Sequence, residues 1–181
     1  LLGVSLEAGI DFNEKLRSKA YQGNDLVFDA LTRLHARGCQ IAREIHVLLS
    51  YGLADGAHAR WRTLHEVSVI ASFICKHGQA IAERYFLHTG IETYKSALQY
   101  QEHSATLGWS PLSEEEMEQV KTVYDSLILR YGKDFKVDYG WASTVLGKIR
   151  PTFHDIEQNA GIEHVRPLVK MANTNVHASA K

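Results

Sequence analysis

Apolar side chains recur along the early part of this chain with the spacing of one helix face. They alternate at intervals of four and three residues: Val27, Leu31, Leu34, Gly38, Ile41, Ile45 and Leu48. An α-helix brings residues at these intervals onto one side, whereas a strand would need alternation at every second position. The pattern predicts a long amphipathic helix with Asn24 as its N-cap and Tyr51-Gly52 at its end.

The rest of the chain also predicts helices. Only three prolines occur, at positions 111, 151 and 167, and no alternating run of strand length is bounded by turn residues. Caps and glycines then divide the remaining sequence. The second predicted helix runs from Asp55 as N-cap to Lys76 and stops at His77-Gly78, and the third runs from about Gln79 to Leu107. The fourth begins at a capping box of Ser113 and Glu116 and ends at Tyr131. A loop is predicted over 132–141, followed by shorter helices over 142–159 and 163–178.

Length and composition favour one ordinary globular domain. The chain has 181 residues, of which 45% are hydrophobic and 23% charged, and this is enough to bury one core. We expect a single all-α bundle of about five to seven helices over residues 1–181. Because the sequence starts at Leu1 rather than Met and stops at Lys181 within a helical pattern, we expect residues to be missing at both ends.

Charge and cysteine content limit the compartment and the partners. The formal net charge is -1, so a nucleic-acid partner would have to be held by a local patch. Cys39 and Cys75 fit neither a disulfide framework nor a thiolate metal site, which favours a reducing cytoplasm. The longest nearly apolar run, from Val67 to Cys75, is far shorter than the roughly 20 residues of a membrane span. We therefore expect a cytoplasmic protein with no membrane contact.

A polar cluster opens the second predicted helix, in the stretch GAHARWRTLHE. On a helix with about 100° per residue, His58, Arg62, His65 and Glu66 share one stripe, whereas Arg60 lies on the far side. The stripe continues into apolar sequence, so its polar members enter a segment that should be buried. A buried charge costs several kcal/mol unless it is paired, and Arg62 and Glu66 have the spacing to pair.

Two interpretations of this cluster stay open. In the structural interpretation, Arg62 and Glu66 form an ion pair that fixes the helix, and His65 is bonded to a carbonyl or carboxylate. In the catalytic interpretation, a guanidinium neutralises a phosphate while an imidazole moves the proton, a combination that suits metal-free cleavage of RNA through its 2′-hydroxyl. The same cluster would also suit a sensor of a small ligand or nucleotide.

Histidines elsewhere supply candidate ligand-binding residues. His177 lies four residues after Asn173 on the last predicted helix, and the two form a small polar face that could pack against the stripe. We take His58, Asn173 and His177 as candidate ligand-binding residues. A metal would use His58 and His65, but neither Glu-x-x-His nor His-Glu-x-x-His occurs. We expect no metal and no cofactor.

Several segments resemble a bacterial family of proteins whose function is not known. They are GAHARWRTLHE, AERYFLHTGIETYK, YGWA and VHAS, and the resemblance runs from about residue 24 to the end of the chain. It implies an all-helical fold and no established chemistry.

A more remote similarity is to the HEPN superfamily. Its members are compact helical bundles in which an R-x4-6-H motif near the start of a helix often serves as a metal-independent RNase site, commonly at a dimer interface. Arg60 and His65 fit R-x4-H, although Trp61 follows the arginine where the superfamily usually has a small polar residue. The resemblance implies that Arg60 binds phosphate or the transition state, that His65 is the acid-base group, and that Arg62 and Glu66 orient them.

Three functional hypotheses follow, and the third is the sensor of a small ligand or nucleotide named above. The first is a HEPN-like metal-independent endoribonuclease or RNA-binding effector, with a role in bacterial stress or phage defence implied by the superfamily alone. The second is a non-catalytic helical interaction or dimerisation module with a structural Arg62–Glu66 pair. The corresponding partners are RNA in the first case, and a second copy of the chain or a missing partner domain in the second.

Overall fold

The computed structural model describes residues 2–173 as a set of helices. In that range five α-helices have 18 to 25 residues and three have four or eight. In chain order they are α1 (Leu2–Gln22), α2 (Leu26–Ser50), α3 (Ala54–His77), α4 (Gln79–His103), α5 (Glu114–Tyr131), α6 (Ser143–Leu146), α7 (Phe153–Ala160) and α8 (Arg166–Asn173). The all-α prediction is confirmed, and the count exceeds five to seven because the C-terminal part is broken into short pieces.

The start of α2 corrects one predicted cap. Asn24 has a left-handed backbone with φ 48°, which places it before the helix rather than at its cap. The side chain of Asp25 instead accepts a hydrogen bond from the backbone N–H of Phe28 at 2.9 Å. The prediction that Asn24 is the N-cap is therefore wrong by one residue.

Two further boundaries differ from the prediction. Helix α3 begins at Ala54 after Leu53, so Asp55 lies inside the first turn, where its charge favours the positive end of the helix, and is not the N-cap. Helix α4 ends at His103 rather than Leu107, because the following residues form turns up to a glycine with φ 71°.

The predicted capping box and the predicted end of α5 are confirmed. Ser113 accepts a hydrogen bond from the backbone of Glu116, whose carboxylate accepts one in return from the backbone of Ser113, and the helix ends at Tyr131. The predicted loop over 132–141 includes a 3₁₀ helix at Lys133–Lys136 and the start of another at Gly140–Ala142. Two of its aromatic residues, Phe135 and Trp141, are buried, because their rings pack against His88 and Tyr85 of α4.

The chain divides into two compact units. Of the described residues, the first contains 2–82 and 154–173, and the second contains 83–153. In the first unit α2 and α3 pack together as a hairpin, α1 packs on α2, and α8 packs on α3. Its core is formed by apolar side chains from these helices and α7, among them Ala30, Leu34, Ile41, Ala57, Val69, Phe73, Ile74, Ile156 and Val169.

The second unit is built on α4 from Glu83 onward and on α5. A Cβ atom on Gly90 would lie 2.7 Å from a methyl group of Leu127, so the glycine lets α5 approach α4 closely. Ile91, Leu127, Phe135 and Trp141 contribute to the core of this unit. The expectation that residues 1–181 form a single domain stays a prediction. No helix within residues 2–173 is both long enough and apolar enough to cross a membrane.

Candidate functional site

The most deeply buried charge in the first unit is the carboxylate of Glu157 on α7, which is 0% exposed. His65 Nε2 donates to its Oε1 at 2.8 Å. Arg166 Nη1 and His154 Nδ1 donate to Oε2 at 2.5 and 3.3 Å. We call Glu157, His65, His154 and Arg166 the Glu157 cluster. It joins α3 to α7 and to the first residue of α8.

The electrostatics of this cluster favour an ionised carboxylate. Burial on its own raises the pKa of Glu157, but hydrogen bonds from His65, Arg166 and His154 outweigh it, and the net pKa lies below the usual value. A buried carboxylate is tolerable when its oxygens are paired and hydrogen-bonded in this way. Because the side chains of Arg166 and His154 remain 35% and 38% exposed, only one side of the cluster reaches solvent.

His65 lies at the inner end of the cluster and is only 6% exposed. Its ring stacks on Trp61, with the ring centroids 5.8 Å apart and the planes inclined by 22°. Its Nε2 lies 2.8 Å from Oε1 of Glu157, so the bond to the buried carboxylate occupies this ring nitrogen. The prediction that the polar stripe of α3 continues into the core is confirmed, since Val69 and Phe73 are both 0% exposed.

Arg60 is directed to a different partner. Its Nε donates to the carboxylate of Glu44 on α2, and this bond is the main reason that the pKa of Glu44 lies below its usual value. Both side chains are partly exposed. The residues of the R-x4-H pattern are therefore each bound to a carboxylate on a different helix, Arg60 to α2 and His65 to α7.

The predicted ion pair between Arg62 and Glu66 is wrong. Both side chains are half-buried, and in the part of the chain from residue 2 to 173 neither makes an ion pair or a hydrogen bond. The helical spacing makes the pair possible, but an i,i+4 ion pair contributes only about 0.3–0.5 kcal/mol, which is too little to fix two long side chains in one geometry. His58 lies beside Trp61, with ring centroids 6.0 Å apart. The catalytic and ligand-binding roles assigned to these residues stay predictions.

The C-terminal candidates fall at the limit of the described residues. Asn173 ends α8, the helix that packs on α3, and its Oδ1 is buried with no hydrogen-bond partner among residues 2–173. His177 lies outside the described residues. Among residues 2–173, no group of three or more His, Cys, Asp or Glu side chains is arranged to hold a metal ion.

Glu157 and Arg166 were not identified from the sequence, although Glu157 carries a signal. Within α7 the residues Phe153, Ile156, Glu157 and Ala160 follow the i, i+3, i+4, i+7 spacing of one helix face. A glutamate on such an apolar face has to be paired, which predicts a buried carboxylate. No feature of the sequence indicates that its partners are His65 and Arg166.

The chain belongs to the family of unknown function DUF5677, whose match covers residues 28–181. The predicted membership of a family without established chemistry is thereby confirmed. No curated protein and no solved structure matches the chain significantly.

Proposed function

We propose that this member of DUF5677 is a non-catalytic helical interaction module that associates with a second copy of itself. The observation that carries the proposal is the position of His65, 6% exposed and bonded through Nε2 to the fully buried Glu157. A general acid or base has to reach the substrate, and a side chain fixed inside the protein by a paired carboxylate suits a structural role better.

Apolar side chains at the end of the α2–α3 hairpin support self-association. Val47 and Leu49 near the end of α2, and Tyr51 and Leu53 in the turn, are all exposed. The four residues share one end of the hairpin, exposed apolar residues grouped in this way commonly mark a protein interface, and a twofold contact can use the same surface on both copies. Because Cys39 and Cys75 are free thiols, a reducing cytoplasm fits this proposal.

A HEPN-like metal-independent endoribonuclease or RNA-binding effector is the second candidate. The observation that favours it is Arg62, a half-buried guanidinium that makes no ion pair or hydrogen bond within residues 2–173. A phosphate would pair with this group, and Trp61 on the same turn offers a ring on which a base could stack.

Cleavage of total and transfer RNA in EDTA separates the two candidates. We would compare wild type with His65→Ala, Arg60→Ala and Arg62→Ala, after showing by circular dichroism that each is folded at the assay temperature. The module predicts no cleavage by any of them, together with a marked loss of stability in His65→Ala alone. Cleavage by wild type that both His65→Ala and an arginine variant abolish would contradict the module and support the ribonuclease.

Self-association is tested by light scattering after size-exclusion chromatography. We expect wild type to elute as a dimer and the double variant Leu49→Lys, Tyr51→Lys to be monomeric with unchanged helix content. Leu129→Lys is the matched control, because Leu129 is 90% exposed on α5 in the other unit. A monomeric wild type, or a dimer that survives the double substitution, would contradict this part of the proposal.

A further inference from the structure

The second unit contains a buried arginine. Arg84 on α4 is 8% exposed, and it donates to backbone oxygens of the 3₁₀ helix at Gly140–Ala142. Its Nε donates to the carbonyl of Trp141 at 2.9 Å, and its Nη2 donates to the carbonyl of Gly140 at 3.1 Å and to Ser143 Oγ at 3.2 Å. These bonds hold the turn against α4 and use two of the three guanidinium nitrogens.

No carboxylate of residues 2–173 balances this charge. Arg84 has no Asp or Glu oxygen within 4 Å in that range, and the adjacent Glu83 is paired with Arg130 at 2.7 Å. Burial lowers the pKa of Arg84, which reflects the cost of desolvating its charge. Carbonyl oxygens and the faces of Tyr131 and Phe135, 4.8 and 4.9 Å from the guanidinium carbon, offset only part of that cost.

Tyr131 supplies a second group without a partner. Its hydroxyl is buried and makes no hydrogen bond to any residue of the range 2–173, although a hydroxyl can both donate and accept. Two guanidinium groups contact the ring of Tyr131, with the guanidinium carbons of Arg84 and Arg130 4.8 and 4.9 Å from its centroid. Arg130 is paired with Glu83, so Arg84 is the group whose unbalanced charge favours an anionic acceptor beside the hydroxyl.

Arg84 retains one nitrogen for a ligand. Its Nη1 makes no hydrogen bond to the described residues. The guanidinium carbon lies 4.8 Å from the centre of the Tyr131 ring, so Nη1 and the Tyr131 hydroxyl belong to the same small region of the unit. The N–H groups of Nη1 and the Tyr131 O–H are the donors that such an oxyanion would engage.

We propose that Arg84 and Tyr131 form a binding site for a small oxyanion, either phosphate or a carboxylate, within residues 83–153. The anion accepts hydrogen bonds from Arg84 Nη1 and the Tyr131 hydroxyl and balances the buried charge. The site is independent of the function proposed for the first unit, since none of its residues belongs to the Glu157 cluster.

Thermal unfolding of the full chain in graded sodium phosphate or sodium acetate, at ionic strength held constant with sodium chloride, tests the site. A ligand at ten times its Kd is expected to raise Tm by about 3–6 °C in a chain of this size. Tyr131→Phe should weaken the response at least tenfold in Kd. Tyr124→Phe, the same change on the same helix, should leave it unchanged.

The two anions separate the sources of the ligand. A saturating shift with phosphate alone assigns the site to phosphate groups, and a shift with acetate alone assigns it to carboxylates. A titration followed by the ³¹P shift of inorganic phosphate then gives Kd for wild type and Arg84→Lys, which should differ at least tenfold. A shift that chloride reproduces, or one that Tyr131→Phe leaves intact, would overturn the proposal.

Discussion

Glu157 in the first unit and Arg84 in the second are both buried charges, and their surroundings balance them in different ways. Glu157 accepts hydrogen bonds from three basic side chains, of which Arg166 supplies a permanent opposite charge. Arg84 donates to two carbonyls and a hydroxyl and packs on aromatic rings, with no carboxylate near it in residues 2–173. The first arrangement is complete without a ligand, and the second leaves a charge and a hydroxyl unmatched.

This difference shows that burial of a charge does not by itself identify a functional site. The sequence draws attention to His65 and its neighbours, yet the structure pairs His65 with a carboxylate from another helix. In the second unit, Arg84 Nη1 and the hydroxyl of Tyr131 have unused hydrogen-bonding capacity within residues 2–173 and lie close to one another. Unused hydrogen-bonding capacity is the better indicator of a ligand site, because most buried polar groups in folded proteins are hydrogen-bonded.

The largest expected effect comes from breaking the Glu157 cluster. Glu157→Ala removes the acceptor of three side chains and leaves His65 buried without it, so it should lower the free energy of unfolding by about 3 kcal/mol or more. Urea denaturation measures this free energy of unfolding. Glu118→Ala, an exposed glutamate on α5, should change it by less than about 0.5 kcal/mol. Equal effects of the two substitutions would contradict the role of the cluster.

The contribution of Glu157 should also depend on pH. Because its pKa in the folded protein lies below the usual value, the folded state binds a proton less readily than the unfolded chain. The stabilisation is therefore fully present above the unfolded pKa of about 4.3 and is lost as pH falls through the folded pKa. We expect the stability difference between wild type and Glu157→Gln to shrink on acidification from pH 7 to acid conditions. A difference that stays constant would show that the carboxylate charge contributes nothing.

A smaller loss is expected from Arg84→Lys. Lysine keeps the charge but cannot reach two carbonyls and a hydroxyl with a planar fork, so about 2 kcal/mol of stability should be lost. Arg130→Lys is the matched control, because its ion pair with Glu83 is exposed and should contribute less than about 1 kcal/mol. If chemical denaturation ranks the two variants in the opposite order, the hydrogen bonds of Arg84 do not stabilise the protein as proposed.

The smallest expected effect is a gain in stability rather than a loss. No residue of the range 2–173 satisfies the buried hydroxyl of Tyr131, so Tyr131→Phe should stabilise the protein by about 1 kcal/mol in anion-free buffer. The control Tyr124→Phe should not stabilise the protein. Added phosphate or acetate should reverse the order of wild type and Tyr131→Phe if the oxyanion site exists. Destabilisation by Tyr131→Phe in anion-free buffer would show that the hydroxyl has a partner.

Local signals explain how much of the fold could be predicted. Helix periodicity and the capping box depend on residues close in sequence, and they located the central spans of α2 to α5. The predicted N-cap was wrong at Asn24, because its left-handed φ places this residue before the helix. The short helices α6 to α8 were merged into two longer ones, because turns between pieces of four or eight residues give weak periodicity.

The site was harder to predict because its partners are distant in sequence. His65 and Glu157 are 92 residues apart, whereas sequence spacing on one helix suggested only Arg62 and Glu66 as partners. Arg84 and His88 follow Ile81 at i+3 and i+7 on the buried face of α4, as Glu157 follows Phe153 on α7. A charge at an apolar helix position thus indicated that a partner was needed, without indicating which one.

The central claim is that His65 is fixed by Glu157 in order to hold the helices of the first unit together. A double-mutant cycle of His65→Ala and Glu157→Ala, measured as the free energy of unfolding, tests it most directly. We predict a coupling free energy of about 1.5–3 kcal/mol, since each substitution removes the same buried interaction. Additive effects, with a His65→Ala variant as stable as wild type, would show that the bond between His65 and Glu157 does not hold the fold.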